Sequence, residues 1–76
     1  METSLDRLRP GCRAIVIKLN TAPALTRRLR DFGLVPGTAV HCRYKSPWGD
    51  VTALYLRGAV LALRTKDLRR IRVRCE

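Results

Sequence analysis

The chain is poor in the side chains on which most protein chemistry depends. One histidine, His41, stands in 76 residues, and the aromatic set is Phe32, Tyr44, Trp48 and Tyr55 alone. With a single imidazole and no Ser–His or Cys–His sequence context, nucleophilic and acid–base catalysis lack their usual parts. His41 and Cys42 adjoin on a predicted strand, so their side chains diverge and form no dyad. No glycine-rich phosphate loop follows a strand. The chain reads as a non-enzyme. Few aromatics also argue against a polyproline groove, which several rings must line. They argue equally against single-strand nucleic-acid binding, which stacks bases on rings.

Cysteine is scarce and odd in number: Cys12, Cys42 and Cys75, spaced far apart. That is no disulfide framework, and a reducing, cytoplasmic setting is expected. Neither Cys-x₂-Cys nor His-x₃-His spacing occurs, so no dedicated metal site is predicted. Antiparallel pairing of the first and last strands would bring Cys12 near Cys75. The remaining metal candidates are His41, Cys75 and the carboxylate of Glu76, enough for an adventitious or subunit-bridging Zn²⁺ or Fe²⁺ and no required cofactor. No stretch approaches the roughly 20 apolar residues of a membrane span. The start of the chain, with Glu2 and Asp6, does not read as a secretory signal.

Acidic residues are few as well, 6 against 16 Lys and Arg, which leaves a net charge of +10. A surface of that sign favours anionic partners: an acidic protein face, phosphates, nucleic acid or an anionic lipid surface. At 46% hydrophobic the chain is far from the composition of a disordered segment. Seventy-six residues make one domain, with its core over about 8–74.

Punctuation by glycine and proline divides this domain. After Leu5, Leu8 and the turn pair Pro10-Gly11, the β-branched run Arg13–Leu19 predicts a strand, with Ile15, Ile17 and Leu19 sharing one face. Asn20 and Thr21 are candidate helix caps, and Pro23 suits a first helical turn. Leu25, Leu29 and Phe32 follow helical spacing, which turns Arg27, Arg28 and Arg30 outward, and Gly33 stops the helix. Pro36-Gly37 suits the centre of a type II turn. Strands follow over Thr38–Lys45, Val51–Leu56, Ala59–Leu63 and Ile71–Arg74, with Arg57-Gly58 a tight turn and Thr65–Arg69 a 3₁₀ turn. The fold class is therefore mainly β: a small five-stranded barrel with one inserted short α-helix and a 3₁₀ turn before the last strand. The expected core is Ile15, Ile17, Leu25, Leu29, Phe32, Val40, Leu54, Leu61, Leu63, Leu68, Ile71 and Val73.

Three stretches, in order, resemble the FeoA family. Arg28-Leu29-Arg30-Asp31-Phe32-Gly33-Leu34-Val35-Pro36-Gly37 is similar to its Arg-Leu…Gly-Leu/Met-x-Pro-Gly segment. Ser46-Pro47-Trp48-Gly49-Asp50 is similar to its Pro-Leu-Gly-Asp-Pro loop. Leu61-Ala62-Leu63-Arg64, with Lys66-Asp67-Leu68 and Ile71-Arg72-Val73, resembles its Leu-x-Leu-Arg ending. Trp48 replaces a leucine, and Val51 stands where the family usually has a second proline, which frees one backbone N–H at the loop's exit. The resemblance implies an SH3-like fold and a cytosolic accessory role in bacterial ferrous-iron uptake. The implied partner is a FeoB-type membrane permease, met through its cytosolic, GTP-binding part.

The candidate partner-binding residues are Arg27, Arg28 and Arg30 on the helix, Pro47, Trp48, Gly49 and Asp50 in the loop, and Arg64. Each has a plainer alternative. The helix arginines are then a solvated face, Trp48 folds back over the barrel mouth, and Arg64 pairs with Asp50 or Asp67. Resemblance also extends to the SH3-like domain of iron- and manganese-dependent repressors, without their DNA-binding helices. The competing functions are a basic nucleic-acid-binding module and a transition-metal-binding regulatory domain. A dimer is compatible with any of them.

Overall fold

A computed structural model describes Met1–Glu76. Its elements are β1 (Glu2–Ser4), a 3₁₀ turn (Leu5–Arg7), β2 (Arg13–Leu19), α1 (Pro23–Asp31), β3 (Ala39–Lys45), β4 (Val51–Leu56), β5 (Ala59–Arg64), α2 (Thr65–Leu68) and β6 (Ile71–Cys75). All ladders are antiparallel, in the order β1-β6-β2-β3-β4-β5. The residues before the first expected strand thus supply a sixth strand. Three residues of β1 pair with β6, Glu2 to Arg74 through Ser4 to Arg72.

The overall extents are 29 × 24 × 23 Å, so the sheet curls over its apolar side rather than lying flat. Its end strands, β1 and β5, do not pair with each other, and the roll is not closed by hydrogen bonds. The 3₁₀ turn packs against the single helical turn of α2, with Leu5 and Leu68 fully buried. Two further bonds support this region: Lys45 Nζ donates to the Asp6 carbonyl at 2.8 Å, and the hydroxyls of Thr52 and Thr65 share a bond of 2.9 Å.

Turn chemistry sets the register of the β2–β3 pair at both ends. Thr38 N–H donates to the Val35 carbonyl at 3.0 Å across Pro36-Gly37, and Cys12 N–H donates to the Arg9 carbonyl at 3.0 Å across Pro10-Gly11. Both glycines have positive φ, +93° and +89°, as the third position of a type II turn requires. Each then forms a glycine bulge. Gly37 N–H donates to Val16, whose own N–H donates to Thr38; Gly11 N–H donates to Cys42, whose own N–H donates to Cys12.

The side-chain parity of β2 differs from expectation. Ala14 and Val16 are buried, whereas Ile15 and Ile17 are half-exposed. The run is apolar on both faces, so alternation alone does not choose between them. A bulge between Val16 and Lys18 in the β2–β6 ladder then shifts the register by one residue. It brings Leu19, opposite Ile71, onto the same core as Val16.

Helix α1 buries Leu29, but Phe32 is 56% exposed rather than in the core. The helix ends one residue before Phe32, and the chain reverses at Gly33, φ +90°. Leu34 N–H donates to the Leu29 carbonyl and Gly33 N–H to the Arg30 carbonyl, both at 2.9 Å, a Schellman closure. That closure turns Leu34 inward to take the place expected for Phe32, and it is fully buried. Neither Asn20 nor Thr21 caps α1; its N-cap is Ala22, without a side-chain bond. Leu25, Leu61 and Leu63 pack against the core only partly buried, and Leu8, Cys42 and Leu56 join it. Val40, Leu54, Leu68, Ile71 and Val73 are buried as expected.

Candidate functional site

The β3–β4 connection is a short loop made rigid by its own polar atoms. Ser46 N–H donates to the Val51 carbonyl at 2.9 Å, and Gly49 N–H donates back to Ser46 at 2.8 Å. The Ser46 hydroxyl donates to Asp50 Oδ1 at 2.6 Å and accepts from Val51 N–H at 3.1 Å. The N–H that a proline at 51 would lack is therefore used, and it helps to lock the loop's exit. Asp50 reaches onward through its carbonyl, which accepts from Thr65 N–H at 2.9 Å at the start of α2. Its carboxyl is held below the ordinary range, chiefly by the Ser46 hydroxyl.

Held in this way, the loop carries its bulkiest side chain outward. Trp48 is 90% exposed, and the alternative in which it covers the barrel mouth does not occur. It stands at the rim of a surface hollow of about 610 Å³, lined by Gly49, Asp50, Val51, Arg64, Lys66 and Arg69. Arg64 pairs with neither Asp50 nor Asp67; the chain's one ion pair joins Arg13 Nε to Glu76 Oε1 at 3.5 Å. The hollow therefore offers an aromatic ring beside three cations, Arg64, Lys66 and Arg69. Lys66 and Arg69 were not singled out in the sequence, where they sit in a helical turn too short to show a pattern.

The helix arginines stand apart from this hollow. Arg27, Arg28 and Arg30 are exposed, and Arg28 and Arg30 fall in the last turn of α1, where a positive charge suits the helix dipole. Arg30 borders a different groove, with Lys18, Thr26 and Leu34. No hollow is lined by both the loop and these arginines.

A second basic surface lies on the outer face of β2, β3 and β4. Arg13 pairs with His41 and His41 with Tyr55 across the strands, and Arg43 lies over the Tyr55 ring at 4.5 Å from its centre. Arg57 completes this hollow. The candidate metal ligands do not converge. Glu76, whose N–H donates to Arg13, lies across Arg13 from His41, and Cys75 pairs with Ala14 on the sheet's inner side. No three His, Cys, Asp or Glu side chains stand around one point. His41 and the buried Cys42 point to opposite faces, so no nucleophile–base pair forms.

No helix is long and apolar enough to cross a membrane. A small curled sheet of antiparallel strands with this order has an SH3-like fold. The FeoA domain family matches residues 3–75, and the chain belongs to that family, which is linked to ferrous iron transport. It is similar to the FeoA protein of Chlorobium tepidum, at 33% identity and a TM-score of 0.92 over 96% of this chain and 70% of that one. A FeoA-like protein of Clostridium acetobutylicum is 31% identical, with a TM-score of 0.86 over 97% and 86%. The Stenotrophomonas maltophilia FeoA, an SH3 domain protein solved with zinc, is 29% identical, with a TM-score of 0.77 over 93% and 88%. No curated protein matches the chain.

Proposed function

We propose that the chain is a cytosolic accessory of ferrous-iron uptake that docks on an acidic face of a FeoB-type permease. Trp48 is the anchor, and Arg64, Lys66 and Arg69 read the partner's charge. The observation that carries this reading is the tryptophan itself. A ring left 90% in water on a loop locked by four hydrogen bonds is prepared for contact, because docking costs the loop little further ordering. Aromatic and arginine side chains dominate binding energy at protein interfaces. In this reading Arg27, Arg28 and Arg30, which do not line this hollow, play a supporting, long-range electrostatic role. The matching family is known for transport rather than catalysis, in keeping with a binding role.

The test is capture of the permease's isolated cytosolic part by the tagged chain at moderate salt. Trp48→Ala and Arg64→Glu should each abolish it, and Arg27→Glu with Arg28→Glu should weaken it at low salt only. Capture unaffected by Trp48→Ala would remove the proposal. The basic hollow around Tyr55 favours one other reading, an anionic polymer such as nucleic acid. Steeply salt-dependent binding of unrelated oligonucleotides would support it.

A further inference from the structure

The three cysteines, far apart in sequence, meet at one end of the sheet. At the Pro10-Gly11 bulge, Cys42 N–H donates to the Cys12 carbonyl at 3.0 Å, and Gly11 N–H donates to the Cys42 carbonyl at 2.7 Å. Cys12, just ahead of β2, thus lies opposite Cys42 of β3, with Gly11 sharing the same partner. The matching bulge at the other end of the same ladder sets Thr38 opposite Val16, and both of those side chains are buried together. Parity gives the same answer. The next pair but one along the ladder is Ala14 with Val40, both on the core face, so Cys12 and Cys42 point to that face too.

Cys12 and Cys42 share one ladder bond at this bulge, and opposed residues of an antiparallel pair have Cα atoms roughly 4.5–5.5 Å apart, inside the range a disulfide spans. Cys75 is opposite Ala14 and therefore only diagonal to Cys12, about 7–8 Å away and at the limit of bridging. Access is graded as well: Cys12 is exposed, Cys75 half-buried and Cys42 fully buried. Burial pushes the Cys42 thiol up, so the exposed Cys12 is the thiol that meets an oxidant first.

We propose that Cys12 and Cys42 form a reversible dithiol–disulfide pair, a modification site whose oxidant is a peroxide. The exposed Cys12 thiolate attacks one peroxide oxygen; an S–O bond forms, the O–O bond breaks, and the departing hydroxide takes a proton to leave as water. Cys42 sulfur then attacks the Cys12 sulfenic acid. The S–S bond forms, the S–O bond breaks, and the proton from Cys42 leaves with the second hydroxide as water. Two thiols and one hydrogen peroxide give one disulfide and two waters, and a dithiol reductant reverses the change. The bond ties the Arg9–Cys12 turn to β3 and encloses β2 and α1 within one covalent loop. It also stiffens the strand pair whose outer face carries Arg13 and His41.

The experiment is stoichiometric hydrogen peroxide on the full chain, read by intact mass, by mapping of the non-reduced digest and by thermal melting. The expected result is a loss of about 2 Da as two hydrogens leave, a mapped link between Cys12 and Cys42, and a melting temperature raised by about 10 °C or more, all reversed by dithiothreitol. Cys75→Ser should leave all three readouts intact, whereas Cys12→Ser and Cys42→Ala should abolish them. Mass gain by oxygen addition alone, a covalent dimer, or a mapped link from Cys12 to Cys75 would each overturn the assignment. Mapping on the unsubstituted chain keeps the result decisive even where Cys42→Ala fails to fold. None of these readouts involves the permease, so the outcome is independent of the docking proposal.

Discussion

The hydroxyl of Ser46 donates to Asp50 Oδ1 at 2.6 Å, one of the four bonds that lock the loop presenting Trp48. The same hydroxyl accepts from Val51 N–H, so serine stands between the two ends of the loop as a cross-brace.

Removing the brace should be visible at Asp50. In Ser46→Ala the Asp50 carboxyl should titrate higher than in the parent, because its largest stabilising contact is gone. A carboxyl depressed in the folded state contributes stability above its unfolded value, and that contribution is lost as pH falls through the folded value. In the parent, loop order should therefore be complete at neutral pH and decline in the acid range; in the variant, which lacks the bond, that acid-range loss should be smaller. Carboxyl-carbon NMR titration of Asp50 measures this. Identical titration curves would show that the brace does not set the charge.

Trp48→Ala should separate docking from stability. The ring makes little contact with its own chain, so the unfolding free energy should change by less than about 0.5 kcal/mol. Affinity for the permease's cytosolic part should fall at least about tenfold, which is about 1.4 kcal/mol. Chemical denaturation and calorimetric titration read the two quantities.

Leu34 and Phe32 should reverse the order their sizes suggest. Leu34→Ala empties a fully buried position and should cost about 2–4 kcal/mol, whereas Phe32→Ala trims an exposed ring and should cost less than about 1 kcal/mol. Urea unfolding of the two variants checks this. A larger loss at Phe32 would contradict the Schellman closure.

Gly33 faces two constraints at once. Its φ is +90°, and a Cβ there would lie 2.5 Å from Cδ of Arg57, in the β4–β5 turn. Gly33→Ala should destabilise by more than about 1 kcal/mol. In an Arg57→Ala background the steric part disappears and the backbone part remains, so the penalty should shrink without vanishing. A double-mutant cycle by urea denaturation measures the difference.

What could be read in advance had a local cause. Pro10-Gly11, Pro36-Gly37 and Arg57-Gly58 announce their turns because glycine adopts positive φ readily, and β4, with Leu54 buried and Tyr55 exposed, follows simple alternation. Misreadings arose where a distant partner decides. Ile15 and Val16 are both β-branched and apolar, and only pairing with β6, including its bulge, selects Val16 for the core. Glu2–Ser4 has no strand pattern of its own and becomes β1 because β6 offers a free edge. Within the candidate site, Trp48, Asp50 and Arg64 were singled out by composition and resemblance. The β4–β5 hairpin sets Arg64 opposite Val51, and Lys66 and Arg69 join them through α2, whose start is tied to the loop by the Asp50–Thr65 backbone bond.

By itself the sequence determined the mainly-β class, the turn positions, the short helix, the basic charge and, through three ordered motifs, the family. Each of these follows from backbone preference or side-chain type within a few residues. Tertiary structure alone decided which face of β2 is core, that Trp48 remains in water, and that Cys12 lies opposite Cys42. Such facts depend on the register between strands far apart along the chain, and register is chosen by the packing of the whole core.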